Sequence, residues 1–200
     1  CFAKASEVLS PSDLWADIVS LVHYLTQQGS WAKVLDVLDK YFPKVVGRDA
    51  EKVSLKCDVV RGIAYSDLEP GKLTRAQRQR YEKFLREVES SQDWQQHLSP
   101  KEIGAAMERI GLLLVDILRF YEQFVSNPDP EIQRFARERW IVTKRKHETY
   151  FRKRGQEERA RETSRGLANK AHDWGMRSDI DLPRYPSLRP RHEIGVHGIP

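Results

Sequence analysis

The sequence predicts an all-α protein: an antiparallel helix bundle with a projecting basic C-terminal helix and an extended Pro/Arg-rich tail. Three observations predict it. Apolar residues recur at helical spacing in one segment after another. Ser, Thr, Asp, Pro and Gly stand between those segments where helices start and stop. No alternating apolar–polar run bounded by turns competes for a strand.

The first helix is expected behind Ser10-Pro11-Ser12-Asp13, which supplies a cap, a first-turn proline and an acid. Its stripe is Leu14, Ile18, Leu21, Val22 and Leu25, and Gly29 ends it. Ser30 opens a second helix with Val34, Leu35, Leu38 and Phe42, stopped by Pro43. The segment from Leu21 to Tyr41, with Gly29, Trp31, Val34 and Leu38, resembles a single helical hairpin of the tetratricopeptide or pentatricopeptide type. Nothing downstream repeats it, so the resemblance implies an antiparallel hairpin and no function.

A third helix is expected over about 49–67, with Val53, Val60, Ile63 and Ala64 inward, before the turn at Glu69-Pro70-Gly71. Thr74 and Gln77 form a capping-box pattern for a fourth, whose stripe is Tyr81, Phe84, Leu85 and Val88. Ser99-Pro100-Lys101-Glu102 is the strongest start signal in the chain. The wide stripe behind it (Ile103, Met107, Ile110, Leu113, Leu114, Ile117, Leu118, Tyr121, Phe124) predicts one central helix over 99–126. Gly104 and Gly111 then fall in mid-helix, where close packing suits them better than phosphate binding. Asn127-Pro128-Asp129-Pro130 breaks this helix, and Asp129 caps the last one, which carries Ile132, Phe135, Trp140, Ile141 and Val142. The domain reading is a 1–9 extension, a 10–142 bundle, a 143–170 basic helix and a 171–200 tail.

Charge divides the chain the same way. Residues 1–130 hold 17 Lys+Arg and 19 Asp+Glu, a net of −2; residues 131–170 hold 13 and 6, a net of +7; residues 171–200 hold 4 and 4. The net +5 of the protein is thus one local block, an asymmetry that points to a polyanionic partner. From Lys144 to Arg165 the apolar residues thin to Tyr150, Phe151 and Ala160, so a helix there has almost nothing of its own to bury. Glu157 with Arg161, and Glu158 and Glu162 with Arg165, read as salt-bridge partners on a wet helix face.

Chemistry-bearing patterns are sparse. The six histidines fall at no i, i+4 pair, and no CxxC exists, so neither metal nor cofactor is expected. His192 and His197 read as solvated tail residues. Cys57 reads as a buried structural cysteine, and two cysteines are too few for a disulfide framework. No phosphate-cradling glycine motif occurs, and no apolar run approaches a membrane span. The expected class is therefore non-enzymatic.

The constellation with functional content is the pair of basic triplets Lys144-Arg145-Lys146 and Arg152-Lys153-Arg154, with Tyr150 and Phe151 between them. Lys and Arg neutralise phosphates, and aromatics stack on unpaired bases. Arg134, Arg137 and Arg139 extend the charge toward the bundle, and Arg184, Arg189 and Arg191, with Tyr185, suit a tail crossing an RNA or protein surface. The expected function is an accessory or scaffold subunit of a ribonucleoprotein such as an organellar ribosome, with RNA and neighbouring proteins as partners. The alternative is a protein-binding scaffold or assembly factor without RNA contact. A membrane-surface helix ranks below both, because Lys144 to Arg165 lacks an apolar face. The organellar expectation, mitochondrion or chloroplast with the cytoplasm as the alternative, rests on the basic balance and on a chain that begins at Cys1 instead of Met; a truncated start or a lipidated cysteine are the other readings of that residue.

Overall fold

The computed structural model describes residues 11–179 other than 92. Among them every regular element is helical. In chain order these are α1 (Pro11–Gln27), α2 (Trp31–Tyr41), α3 (Asp49–Tyr65), α4 (Arg75–Ser90), the single-turn α5 (Trp94–His97), α6 (Pro100–Ile110), α7 (Leu114–Glu122), α8 (Pro130–Lys153) and α9 (Glu157–Asp173). Short 3-10 turns sit at Phe42–Lys44 and Pro70–Lys72.

Three of the expected starts are closed by hydrogen bonds. Thr74 Oγ1 accepts the Gln77 amide at 3.2 Å while Gln77 Oε1 accepts the Thr74 amide at 2.9 Å. The Ser99 amide and hydroxyl both donate to Glu102 Oε2, at 2.8 and 3.1 Å. Asp129 Oδ1 accepts the Glu131 and Ile132 amides at 2.8 and 3.3 Å. Each satisfies amides that a helix leaves orphaned and is worth about 1 kcal/mol. Ser30 precedes α2 but makes no side-chain cap bond.

Helix α6 is the centre. Ile103, Gly104, Ala105, Ala106, Met107 and Ile110 are all buried on it, so it is covered on most of its circumference. It packs against α3, α4, α7 and α8. The α1–α2 pair joins through α1 on α3, α7 lies along α8, and α8 lies along α9. Polar clamps tie neighbours at the rim. Arg61 of α3 donates to Glu102 of α6 at 2.7 Å and to the His97 carbonyl of α5. Arg80 of α4 reaches Asp36 and Asp39 of α2 at 2.6 and 2.7 Å.

Two expectations are corrected. The single helix over 99–126 is broken at Gly111, whose φ of +67° is left-handed. The Gly111 amide bonds the Glu108 carbonyl at 3.2 Å and the Leu112 amide bonds Met107 at 3.1 Å, a Schellman closure that a residue with a Cβ would strain. Gly111 is therefore a C-terminal cap, and Leu113 is 70% exposed at the elbow, not inward. The break lets α7 fold back so that Tyr121 lies over Gly104, which is the close packing expected of that glycine.

The second correction concerns the basic helix. It does not project alone. Helix α8 runs unbroken past residue 143 to Lys153, and Gly155, at φ +67°, reverses the chain in the same Schellman pattern, with Gly155 bonding Arg152 and Gln156 bonding Phe151, both at 3.0 Å. Helix α9 then packs back along α8, burying Ala160, Thr163, Leu167 and Ala171. Trp174 closes the open end edge-on to Trp140, ring centroids 5.3 Å apart. The segment thus has something to bury after all, carried by small residues that allow two helices to approach closely.

Candidate polyanion-binding hairpin

The α8–α9 hairpin holds 13 Lys+Arg against 7 Asp+Glu over residues 130–173. The structure sorts these cations into those held by the protein itself and those left to solvent.

The first triplet sits at the root, near α6. Lys146 Nζ is 3.4 Å from Glu108 Oε2. The same carboxylate accepts the Tyr121 hydroxyl at 3.0 Å and lies 3.8 Å from Arg139 Nη1, so one anion neutralises charge from α8 while anchoring α7. Lys144 lies over the Trp140 ring at 5.6 Å, and Arg145 donates to the Ser178 carbonyl at 2.5 Å. Arg134 pairs with Glu138 at 2.9 Å, and Arg137 donates to the Val125 carbonyl at 2.9 Å. Much of the first triplet's charge is therefore spent on holding the fold together.

The second triplet sits at the turn. Arg152 pairs with Glu148 at 2.8 Å and approaches Glu157 at 3.9 Å. Arg154 lies over the Tyr150 ring at 4.7 Å. Lys153 is exposed and makes no ion pair with any described residue. Arg161 and Arg165, one turn apart on the exposed side of α9, are likewise unpaired among the described residues. The expected ladder from Glu157 to Arg161 and from Glu158 and Glu162 to Arg165 does not form there; Glu157 faces Arg152 instead.

The two aromatics part company because adjacent helical positions point about 100° apart. Tyr150 is 42% exposed. Phe151 is partly buried, tilted against His147 at 4.5 Å with the Arg159 guanidinium 6.0 Å from its ring. Burial, then the Lys144 charge, hold the His147 imidazole below its ordinary 6.5, and its Nδ1 is buried without a partner. Phe151 and His147 are thus part of the hairpin's packing, whereas Tyr150 is presented outward.

Sequence reasoning had Arg161 and Arg165 only as salt-bridge partners; their freedom follows from where the hairpin reverses. It did not find Glu108, since nothing local marks a carboxylate 38 residues from Lys146 as its partner. The predicted Arg184, Arg189, Arg191, Tyr185, His192, His197 and Cys1 lie outside the described residues. Cys57 is fully buried, and burial pushes its thiol up to about 11, so it carries little thiolate. Among the described residues no three His, Cys, Asp or Glu side chains gather to hold a metal ion, and no helix is long and apolar enough to cross a membrane. Compared with protein-family models, with curated proteins and with solved structures, the chain returns no match.

Proposed function

We propose that this protein is a non-catalytic accessory subunit of a ribonucleoprotein assembly, contacting RNA through the α8–α9 hairpin. The observation that carries the reading is that Lys153, Arg161 and Arg165 stay unpaired on an excess-basic hairpin that has neutralised many of its other cations internally. Exposed pairs contribute about 0–1 kcal/mol to stability, so leaving three cations without one costs the fold little and keeps them for an outside anion. A second reading, a scaffold held by protein contacts alone, draws on the exposed apolar pair Leu113 and Val115 at the α6–α7 elbow.

Salt separates the two. Each phosphate neutralised on a single strand contributes about 0.7 to the slope of log K against log salt. The triple change Lys153→Gln, Arg161→Gln, Arg165→Gln should therefore weaken binding of an oligoribonucleotide and lower that slope by about 2. The change Lys146→Gln, at a cation already held by Glu108, should have little effect on the slope. A triple variant that binds with unchanged affinity and slope, or a wild-type chain that binds no RNA even at low salt, overturns the RNA reading and leaves the scaffold.

A further inference from the structure

Resting on that RNA reading, we infer that the turn of the hairpin holds a stacking site for an unpaired base, built from Tyr150 and Arg154, so that single-stranded RNA is preferred over duplex. The residues are one helical turn apart, at i and i+4, which brings the guanidinium carbon 4.7 Å from the centroid of the Tyr150 ring. Both side chains are exposed. Phe151 meets Tyr150 at 5.8 Å and 65°, and the His147 ring lies 6.4 Å away at 36°, yet Tyr150 keeps 42% of its surface exposed. Lys153 stands beside them, exposed and unpaired.

A planar guanidinium over a phenol is a platform two layers deep. A base can stack on the exposed guanidinium or on the exposed part of the ring, and either mode recognises a π-face instead of a hydrogen-bonding edge. Bases within a duplex have both faces covered by their neighbours and cannot enter. Lys153 is placed for the phosphate of the stacked nucleotide. Phe151 is less exposed than Tyr150, and His147 packs closer to it, at 4.5 Å against 6.4 Å. The charged residues Arg161 and Arg165 on α9 then supply the sequence-independent attraction, and the Tyr150–Arg154 pair supplies the selection for strand state.

The test uses the full chain in fluorescence anisotropy, with an unstructured oligouridine of about 12 nucleotides and a duplex RNA of equal length. The wild type should bind the single strand more tightly. Tyr150→Leu, at an exposed position, should weaken single-strand binding by roughly 5- to 150-fold, the worth of one base–aromatic stack, and leave duplex binding unchanged. Tyr150→Phe, which keeps the ring, should bind like the wild type. Arg154→Lys, which keeps the charge but loses the plane, should follow Tyr150→Leu in direction. Helical circular dichroism at the same concentrations shows that each variant is folded. Equal wild-type affinity for the two RNAs, or a Tyr150→Leu protein that binds the single strand as the wild type does, overturns the stacking site while the charge reading survives. Absence of binding to either RNA overturns both.

Discussion

Gly104 and Gly166 are both glycines inside helices, yet they should respond in opposite directions to the same change. Helix propensity alone makes Gly→Ala favourable by about 1 kcal/mol at an interior position. At Gly166 of α9 a Cβ would meet nothing within 4 Å, so Gly166→Ala should realise most of that gain. At Gly104 of α6 the Cβ would lie 2.5 Å from Tyr121 Oη and 2.6 Å from Cε1. Tyr121 cannot step aside cheaply. It is fully buried, it sits edge-on to Phe120 and Phe135, and its hydroxyl is bonded to Glu108. Overpacking of this kind costs about 1–3 kcal/mol, and loosening a hydrogen bond to a carboxylate costs about 1.5–3 more. Set against the propensity gain, Gly104→Ala should lose about 1.5–5 kcal/mol. Each kcal/mol moves Tm by roughly 2–4 °C in a protein of this size. Thermal and urea unfolding followed at 222 nm should therefore place Gly166→Ala above the wild type and Gly104→Ala below it. If both variants rise together, Tyr121 does not seat on Gly104 and the placement of α7 against α6 is wrong.

Other consequences are simpler to measure. Asp129→Ala removes the two amide bonds that start α8 and should cost about 1 kcal/mol in urea unfolding, while Asp129→Asn should recover most of it. His147 gives a pH dependence with a fixed sign. Its folded pKa lies below the unfolded value, so the unfolded chain takes up the proton more readily. The stability it contributes is present above about pH 6.5 and is lost as pH falls toward the folded value. Melting temperatures measured between about pH 7 and pH 5 should fall less for His147→Gln than for the wild type; equal slopes would show that the imidazole is not desolvated.

Much of the fold was legible because its signals are local. A cap at Thr74, Ser99 or Asp129 is read within four residues, and the buried stripe of Tyr81, Phe84, Leu85 and Val88 repeats within two turns. The two misplaced helix ends have one physical origin. Gly111 and Gly155 both continue a helical pattern on paper, and a glycine in such a pattern looks like a small packing residue or an irrelevance. Whether it instead takes φ +67° depends on what the reversed segment finds to bury, which is a tertiary question. For Gly155 the reward is Ala160, Leu167, Ala171 and Trp174, three of which lie beyond the Lys144–Arg165 stretch whose apolar content was weighed. The candidate site was legible as a block of charge, but not which of its cations were free. That required knowing that Glu108 and Glu148 would claim Lys146 and Arg152. The short α5 was missed because Trp94–His97 is a single turn with no stripe of its own.

The reversal at Gly155 also brings two opposed helix ends side by side. The carbonyl end of α8 carries Arg152 and Lys153, and the amide end of α9 carries Glu157 and Glu158. Each set is complementary to the partial charge of the backbone terminus it occupies. Basic residues at the turn would thus be favoured there even with nothing bound. Arg161 and Arg165 lie in the middle of α9, where no terminal dipole rewards them. Exchanging residues across the turn perturbs the hairpin's own electrostatics along with any docking, whereas those two arginines report on an external anion alone.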